Sequence, residues 1–137
     1  LGDVYKRQLS KVIDSDVDDK YFFSQKAVDG MMRNRESMNK GRAQNVDEPC
    51  NTVGAHLAKV SLNSTDPVLK VDNKYRRFTP REVARIQSFP ETFKLTESEH
   101  AQYKALGNAI PPVMFWYIMR SVKDSLNSEK KYESITV

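Results

Sequence analysis

The amino-acid sequence predicts an α+β fold in which a small mixed region of helix and short strands precedes C-terminal helices. Three observations support this prediction. A helix is marked at both ends between Thr79 and Pro90, strand-like runs occur at 56–62 and 68–71, and an apolar helical run follows Pro112. The 137 residues provide one small domain at most. The hydrophobic fraction of 39% lies below the usual range, so we do not expect a large independent core.

Composition argues against several classes of protein. No apolar run approaches the length of a membrane span and no signal peptide is visible, so we expect a soluble, cytoplasmic setting. The single cysteine, Cys50, excludes an internal disulfide framework. The two histidines, His56 and His100, show no metal-ligand spacing, and we expect no metal.

Two segments concentrate the positive charge of a chain whose net charge is +4. Residues 20–42 contain six basic and two acidic residues, and residues 74–87 contain five basic and one acidic residue. Either segment alone could be a solvated face. Two such segments flanking a polar region are better suited to contact a phosphate backbone.

The first part of the chain carries little folding information. Residues 1–8 start with Leu1 and are similar to a translated adapter sequence, so we interpret them as a non-native end and expect the chain to be truncated at its start. Residues 9–19 include an acidic run from Asp14 to Asp19, which predicts an exposed linker.

Residues 20–74 predict a mixed region. Ser24 is a good N-cap, and Ala27, Val28, Met31 and Met32 recur at helical spacing, which predicts a helix to about Met38. A polar loop follows at 38–47. Short strands are then predicted at 56–62 and 68–71, separated by a turn at 63–67.

The helix after Thr79 has the clearest local signals. Thr79 and Glu82 form a predicted capping box, and Pro80 occupies the first helical position. Phe78 and Val83 are placed to form a hydrophobic staple, and Pro90 bars the helix from continuing past Phe89. The buried face is expected to contain Val83 and Ile86, and the other face Arg81 and Arg85.

Two more helices are predicted in residues 75–127. Thr96 and Glu99 form a second possible capping box, opening a helix that ends near Leu106 with Gly107 as a left-handed cap. The last helix runs from about Pro112 to Leu126. Its first two turns are apolar nearly all round, so it must be covered on more than one side. Residues 128–137 are expected to form a disordered tail.

Two stretches resemble conserved motifs of the DNA (cytosine-5) methyltransferases. Residues 77–90, RFTPREVARIQSFP, look like the ninth motif of that family, in which Thr79, Arg81 and Glu82 are structural. Residues 103–112, YKALGNAIPP, look like the tenth and last motif. The resemblance implies that residues 20–74 are a target recognition region. It also implies that residues 75–127 pack on an α/β S-adenosylmethionine-dependent methyltransferase domain that lies upstream and is absent from this sequence.

The resemblance also implies site residues and partners. Thr52 and Val53 resemble a Thr-Leu or Thr-Val dipeptide of the recognition domain and would contact double-stranded DNA. Lys40 and Arg42 lie in the polar loop at 38–47, whose flexibility would let their side chains contact the same DNA. The plain alternative for the pair is a β-branched strand. Asn108 and Ala109 would contact the cofactor, S-adenosylmethionine; an asparagine that caps the next helix is the alternative.

The nucleophile that the family requires is expected to lie upstream. The dipeptide Pro49-Cys50 is similar to the family's catalytic Pro-Cys, but Asn51 follows it where the family has glutamine, and the ninth motif is too near. In the family a cysteine thiolate adds to C6 of a flipped cytosine, and C5 takes the methyl group. We therefore expect no catalytic residue here and an inactive fragment, in a prokaryotic or phage restriction-modification setting.

Two other functions are compatible with the sequence. The chain could be a separate recognition subunit that completes a split methyltransferase. It could also be a small DNA-binding module with no link to methylation, which would require it to bury its apolar C-terminal helix unaided.

Overall fold

A computed structural model of the chain describes residues 8–33, 43–59, 66–96 and 98–133. Four helices lie at α1 (Gln25–Arg33), α2 (Pro80–Ile86), α3 (Glu99–Asn108) and α4 (Pro112–Glu133). Three strands lie at β1 (Ala43–Gln44), β2 (Val68–Val71) and β3 (Lys74–Arg76), and short 3₁₀ turns occupy Leu9–Lys11, Asp19–Tyr21 and Leu57–Lys59. The small mixed α+β architecture is the one that the sequence predicts.

The three strands form one small sheet in the order β1-β2-β3. Strand β1 is parallel to β2, and β2 is antiparallel to β3. Asp72 and Asn73 join β2 to β3 and both have positive φ, 48° and 64°, as a type I′ hairpin turn requires. Phe22 pairs with Arg76 at the outer edge of β3, so the segment before α1 extends the sheet.

The predicted strand at 68–71 is confirmed, whereas the one predicted at 56–62 is wrong for its described part. Residues 57–59 form a 3₁₀ turn instead, and residues 60–62 lie outside the described residues. The turn packs on α3 and buries Leu57 completely. A single turn can be held in place by one buried apolar side chain, here Leu57. A half-buried strand would need an apolar residue at every second position.

The core lies between the sheet, α2 and α3. Its fully or nearly fully buried side chains are Leu9, Val53, Leu57, Leu69, Phe78, Val83, Ala84, Tyr103 and Leu106. The presence of Leu9 corrects the prediction of an exposed linker at 9–19. The backbone nitrogens of Leu9 and Ser10 donate to the carbonyls of Glu48 and Val46, so this segment is part of the fold.

Helix α2 begins as predicted and ends earlier than predicted. The capping box of Thr79 and Glu82 is formed, with Pro80 in the first turn. The helix stops at Ile86 because Ser88 adopts a left-handed φ of 63°. The nitrogens of Ser88 and Phe89 then donate to the carbonyls of Arg85 and Ala84, which is the Schellman pattern.

Both predicted boundaries of α3 are wrong. Its N-cap is Ser98, whose hydroxyl accepts from the nitrogen of Ala101, and Thr96 lies before the cap. The helix continues through Gly107, which has no left-handed φ, to Asn108. Residue type favours Ser98 over Thr96, whereas Glu99 three residues after Thr96 favours a capping box there, so the two local signals disagree.

Helix α4 is longer than predicted and continues to Glu133. The disordered tail predicted at 128–137 is therefore wrong for residues 128–133. These residues contain no proline or glycine to stop a helix. Within the described ranges, no helix is both long enough and apolar enough to cross a membrane.

Candidate functional site

A buried ion pair organises the start of α2. Arg76 and Glu82 are 1% and 0% exposed, and two guanidinium nitrogens of Arg76 donate to the two carboxylate oxygens of Glu82 at 2.7 and 2.8 Å. The same carboxylate accepts from the backbone nitrogens of Thr79 at 2.7 Å and Asp14 at 2.8 Å. Glu82 thus joins β3, the helix cap and the N-terminal segment.

A second cluster joins the N-terminal segment to α3. The carboxylate of Glu99 contacts Arg77 and Lys20 at 3.0 Å each and accepts a hydrogen bond from the hydroxyl of Tyr21. Burial alone would raise the pKa of Glu99. The bonds from Lys20 and Tyr21 and the charge of Arg77 outweigh burial and hold the pKa below its usual range.

The basic segment 74–87 is largely occupied within the fold. Arg81 donates to the carbonyl of Phe93 at 2.8 Å. Arg85 bonds both Glu91 and Asp14 at 2.7 Å, and these hydrogen bonds raise its pKa above the usual range. With Arg76 and Arg77 paired as described above, four of the five basic residues hold the structure together.

The four residues predicted to contact DNA do not share one environment. Lys40 and Arg42 lie outside the described residues. Thr52 is exposed, whereas Val53 is 4% exposed and packs in the core. A side-chain contact with DNA is therefore open to Thr52, while the side chain of Val53 anchors the segment. The nitrogen of Asn51 donates to the side chain of Gln44, which holds this segment beside β1.

The environment of Cys50 does not favour a nucleophile. The residue is partly buried, and burial raises the pKa of its thiol to about 12. A nucleophilic cysteine needs a lowered pKa and an adjacent base or positive charge.

The predicted cofactor residues lie where α3 ends. The side chain of Asn108 is exposed, and Ala109 is extended, with its nitrogen donating to the carbonyl of Leu106. The side chain of Gln87 donates to the same carbonyl at 2.8 Å, which fixes the helix end to α2. An exposed carboxamide offers both a donor and an acceptor, so Asn108 suits the carboxylate and ammonium of S-adenosylmethionine.

Residues 54–55 and the end of α3 are in direct backbone contact. A Cβ atom placed on Gly107 would lie closer than 3.0 Å to the carbonyl group of Gly54 and to the nitrogen of Ala55. Glycine therefore serves close packing here, and not a left-handed cap. Thr52 and Asn108 are each within two residues of this contact.

Helix α4 presents an apolar face to solvent. Its large apolar side chains that are exposed, each between 40% and 54%, are Met114, Phe115, Trp116, Ile118, Met119, Val122 and Leu126. The helix is attached at its start, where the hydroxyl of Ser88 accepts from the nitrogen of Val113 at 3.2 Å. A contiguous apolar face of this kind marks an interaction surface.

The family profile described as C-5 cytosine-specific DNA methylase matches residues 4–124. The chain belongs to this family. Among curated members, the type II methyltransferase M.AplI of Arthrospira platensis is 38% identical over 84 residues, covering 61% of this chain and 24% of the relative. The type II methyltransferase M1.ScrFI of Lactococcus lactis subsp. cremoris is 33% identical over 135 residues, covering 92% of this chain and 34% of the relative.

This methylase-family chain therefore spans about a quarter to a third of the length of these relatives. The crystal structure of S. pombe Dnmt2 methyltransferase matches its fold with a TM-score of 0.70 at 18% identity, over 88% of this chain and 43% of that one. The ninth-motif and tenth-motif stretches both lie inside the matched range. Within the described residues, no group of three or more His, Cys, Asp or Glu side chains could hold a metal ion.

Two residues of this arrangement are not predicted by the sequence. Asp14 lies in the predicted linker, yet its backbone nitrogen donates to Glu82 and its carboxylate pairs with Arg85. Ser88 has no predicted role, yet its left-handed φ ends α2 and its hydroxyl accepts from the nitrogen of Val113 at the start of α4. No local signal marks Asp14, and serine is not a residue type that usually ends a helix in the left-handed conformation.

Proposed function

We propose that this chain is the C-terminal part of a DNA (cytosine-5) methyltransferase of a restriction-modification system. It would supply target recognition and part of the S-adenosylmethionine pocket. One observation carries the proposal: the exposed Thr52 and the exposed Asn108 flank a direct contact between the backbones of Gly54 and Gly107. The hydroxyl of Thr52, which suits DNA, and the amide of Asn108, which suits the cofactor, thus lie on two segments that pack directly against each other.

Each part of the unit has a task in this proposal. Thr52 would contact a phosphate or a base edge of double-stranded DNA. Asn108 and Ala109 would hold and orient the amino-acid end of S-adenosylmethionine, whose sulfonium activates the methyl group for transfer to C5 of cytosine. The buried pair Arg76 and Glu82 would keep the recognition region fixed relative to the closing helices.

Catalysis is assigned to the upstream domain, and α4 supports that assignment. Its apolar face is large and exposed, whereas an amphipathic helix in a complete domain buries such a face. The catalytic domain is the natural occupant. A split enzyme, in which that domain is a separate chain, would use the same face.

A chimera tests the proposed function. The matched third of M1.ScrFI is replaced by this chain, and transfer of labelled methyl groups from S-adenosylmethionine to DNA is measured. We expect transfer by the chimera and none by this chain alone. Cys50→Ala should leave transfer largely intact, whereas replacing the catalytic cysteine of the M1.ScrFI part should abolish it.

Two outcomes would count against the proposal. A folded, cofactor-binding chimera that transfers no methyl groups would show that this chain does not complete the enzyme. Loss of transfer in the Cys50→Ala chimera would move the nucleophile into this chain. Mixing this chain with the separately purified M1.ScrFI part tests the split arrangement, because activity on mixing would show that no covalent link is needed.

A further inference from the structure

The contact at Gly107 joins two segments that are distant in sequence. The backbone of Gly54 and Ala55 lies so close to α3 that any side chain at Gly107 would overlap it. The reverse does not hold. A Cβ atom on Gly54 would meet only ordinary contact distance, 3.4 Å from the carboxylate of Asp66. The close approach therefore depends on the lack of a side chain at Gly107.

Both segments are firmly held on either side of the contact. Val53 and Leu57 are 4% and 0% exposed and belong to the same core cluster as Tyr103 and Leu106 of α3. Gln87 fixes the carbonyl of Leu106 from the side of α2. Close-packed backbones of this kind transmit a displacement, because neither can move without the other.

Backbone conformation does not explain the glycine. Gly107 lies inside α3 and has no left-handed φ, so an alanine could adopt the same conformation. Glycine is also less favourable than alanine within a helix. Its benefit at this position is the close approach itself.

We propose that Gly107 is a positioning residue that couples DNA contact at Thr52 to cofactor binding at Asn108. The inference rests on the proposed function, which assigns those two contacts. Thr52 lies two residues before Gly54, and Asn108 directly follows Gly107. A shift of residues 51–55 on binding DNA is passed through the backbone contact to residues 107–109, so each ligand changes the affinity for the other by the same factor.

Hydrogen exchange measured on this chain alone tests the contact in the absence of DNA and S-adenosylmethionine. We expect Gly107→Ala to accelerate amide exchange at residues 53–57 and 107–109 by at least tenfold. Ala105→Gly weakens α3 without reaching Gly54, so it should accelerate exchange within α3 and leave 53–57 unchanged. Gly54→Ala should resemble the wild type. Equal exchange at 53–57 in the Gly107→Ala and Ala105→Gly chains would overturn the proposal.

If Gly107→Ala unfolds the chain, a second pair of variants tests the coupling. Val53→Ala weakens the packing of residues 51–55 on the core, and Val71→Ala is its control in β2. Coupling predicts faster exchange at 107–109 in Val53→Ala but not in Val71→Ala. Unchanged exchange at 107–109 in Val53→Ala would contradict the coupling.

The chimera provides the functional measurement. We expect S-adenosylmethionine to bind the wild-type chimera at least fivefold more tightly when DNA is present, and Gly107→Ala to abolish that difference. The variant should also raise KM for both substrates more than Ala105→Gly does at equal loss of Tm. An equal synergy in both variants would overturn the coupling. A chimera without methyl transfer would instead count against the proposed function, and the exchange data would still decide the role of Gly107.

Discussion

Replacing Glu82 with glutamine should destabilise the chain severely. The single oxygen of glutamine can still accept the bond from the nitrogen of Thr79, so the capping box is kept. The change removes the negative charge and places an NH2 donor where an oxygen accepts from Asp14 and Arg76. The guanidinium of Arg76, 1% exposed, is then left buried without a counter-charge. Breaking a buried pair in this way costs about 3–5 kcal/mol. For a chain of this size the loss corresponds to a fall in Tm of about 10–20 °C.

Thermal unfolding followed by circular dichroism measures the effect. The matched control is Glu91→Gln, which breaks the exposed pair between Glu91 and Arg85 and should leave Tm essentially unchanged. Replacing both partners of the buried pair with apolar residues, Arg76→Met with Glu82→Leu, should recover part of the loss. A Glu82→Gln chain that melts no earlier than the Glu91→Gln control would refute the role given to this pair.

The thiol of Cys50 should react with a thiol reagent far more slowly in the folded chain than in urea at pH 8. Because burial raises the pKa of the folded thiol to about 12, the free energy of unfolding should fall as pH rises above the unfolded pKa of about 8.5. Equal reaction rates in the folded chain and in urea would contradict the burial of the thiol. The pKa of Glu99 is lowered on folding, so its contribution is present above an unfolded value of about 4.3 and is lost as pH falls through the folded pKa. Glu99→Gln should therefore flatten the acid limb of the stability curve, and an unaltered limb would show that the cluster contributes nothing. In the chimera, Thr52→Ala should weaken binding to cognate DNA by about 1–3 kcal/mol, whereas Arg81→Ala should lower Tm; an Arg81→Ala enzyme with unchanged Tm and a flatter salt dependence would make that arginine a phosphate contact.

The features that the sequence predicts well are set by neighbouring residues. The capping box of α2 needs only Thr79, Pro80 and Glu82, and it forms as predicted. Strand β2 is likewise encoded locally, by a short run that contains the β-branched residues Val68 and Val71. The exposed apolar face of α4 also agrees with the prediction that this helix needs further covering.

The features that the sequence misses depend on contacts between distant segments. The backbone nitrogen of Asp14 donates to the carboxylate of Glu82, which lies 68 positions later in the chain. No local sequence pattern near Asp14 predicts that contact. The sequence pattern predicts Gly107 as a helix cap, because a glycine near a helix end usually has that role. The close approach of the Gly54 backbone to Gly107 is a tertiary contact, and it determines the role of this glycine in place of the local pattern.

Mapping every 5-methylcytosine in DNA modified by the chimera tests whether this chain carries the proposed target recognition. If it does, methylation falls at a sequence different from that of the parent M1.ScrFI, and Thr52→Ala weakens methylation at that new sequence. Methylation confined to the parent's sequence would contradict the proposal, because recognition would then lie outside this chain.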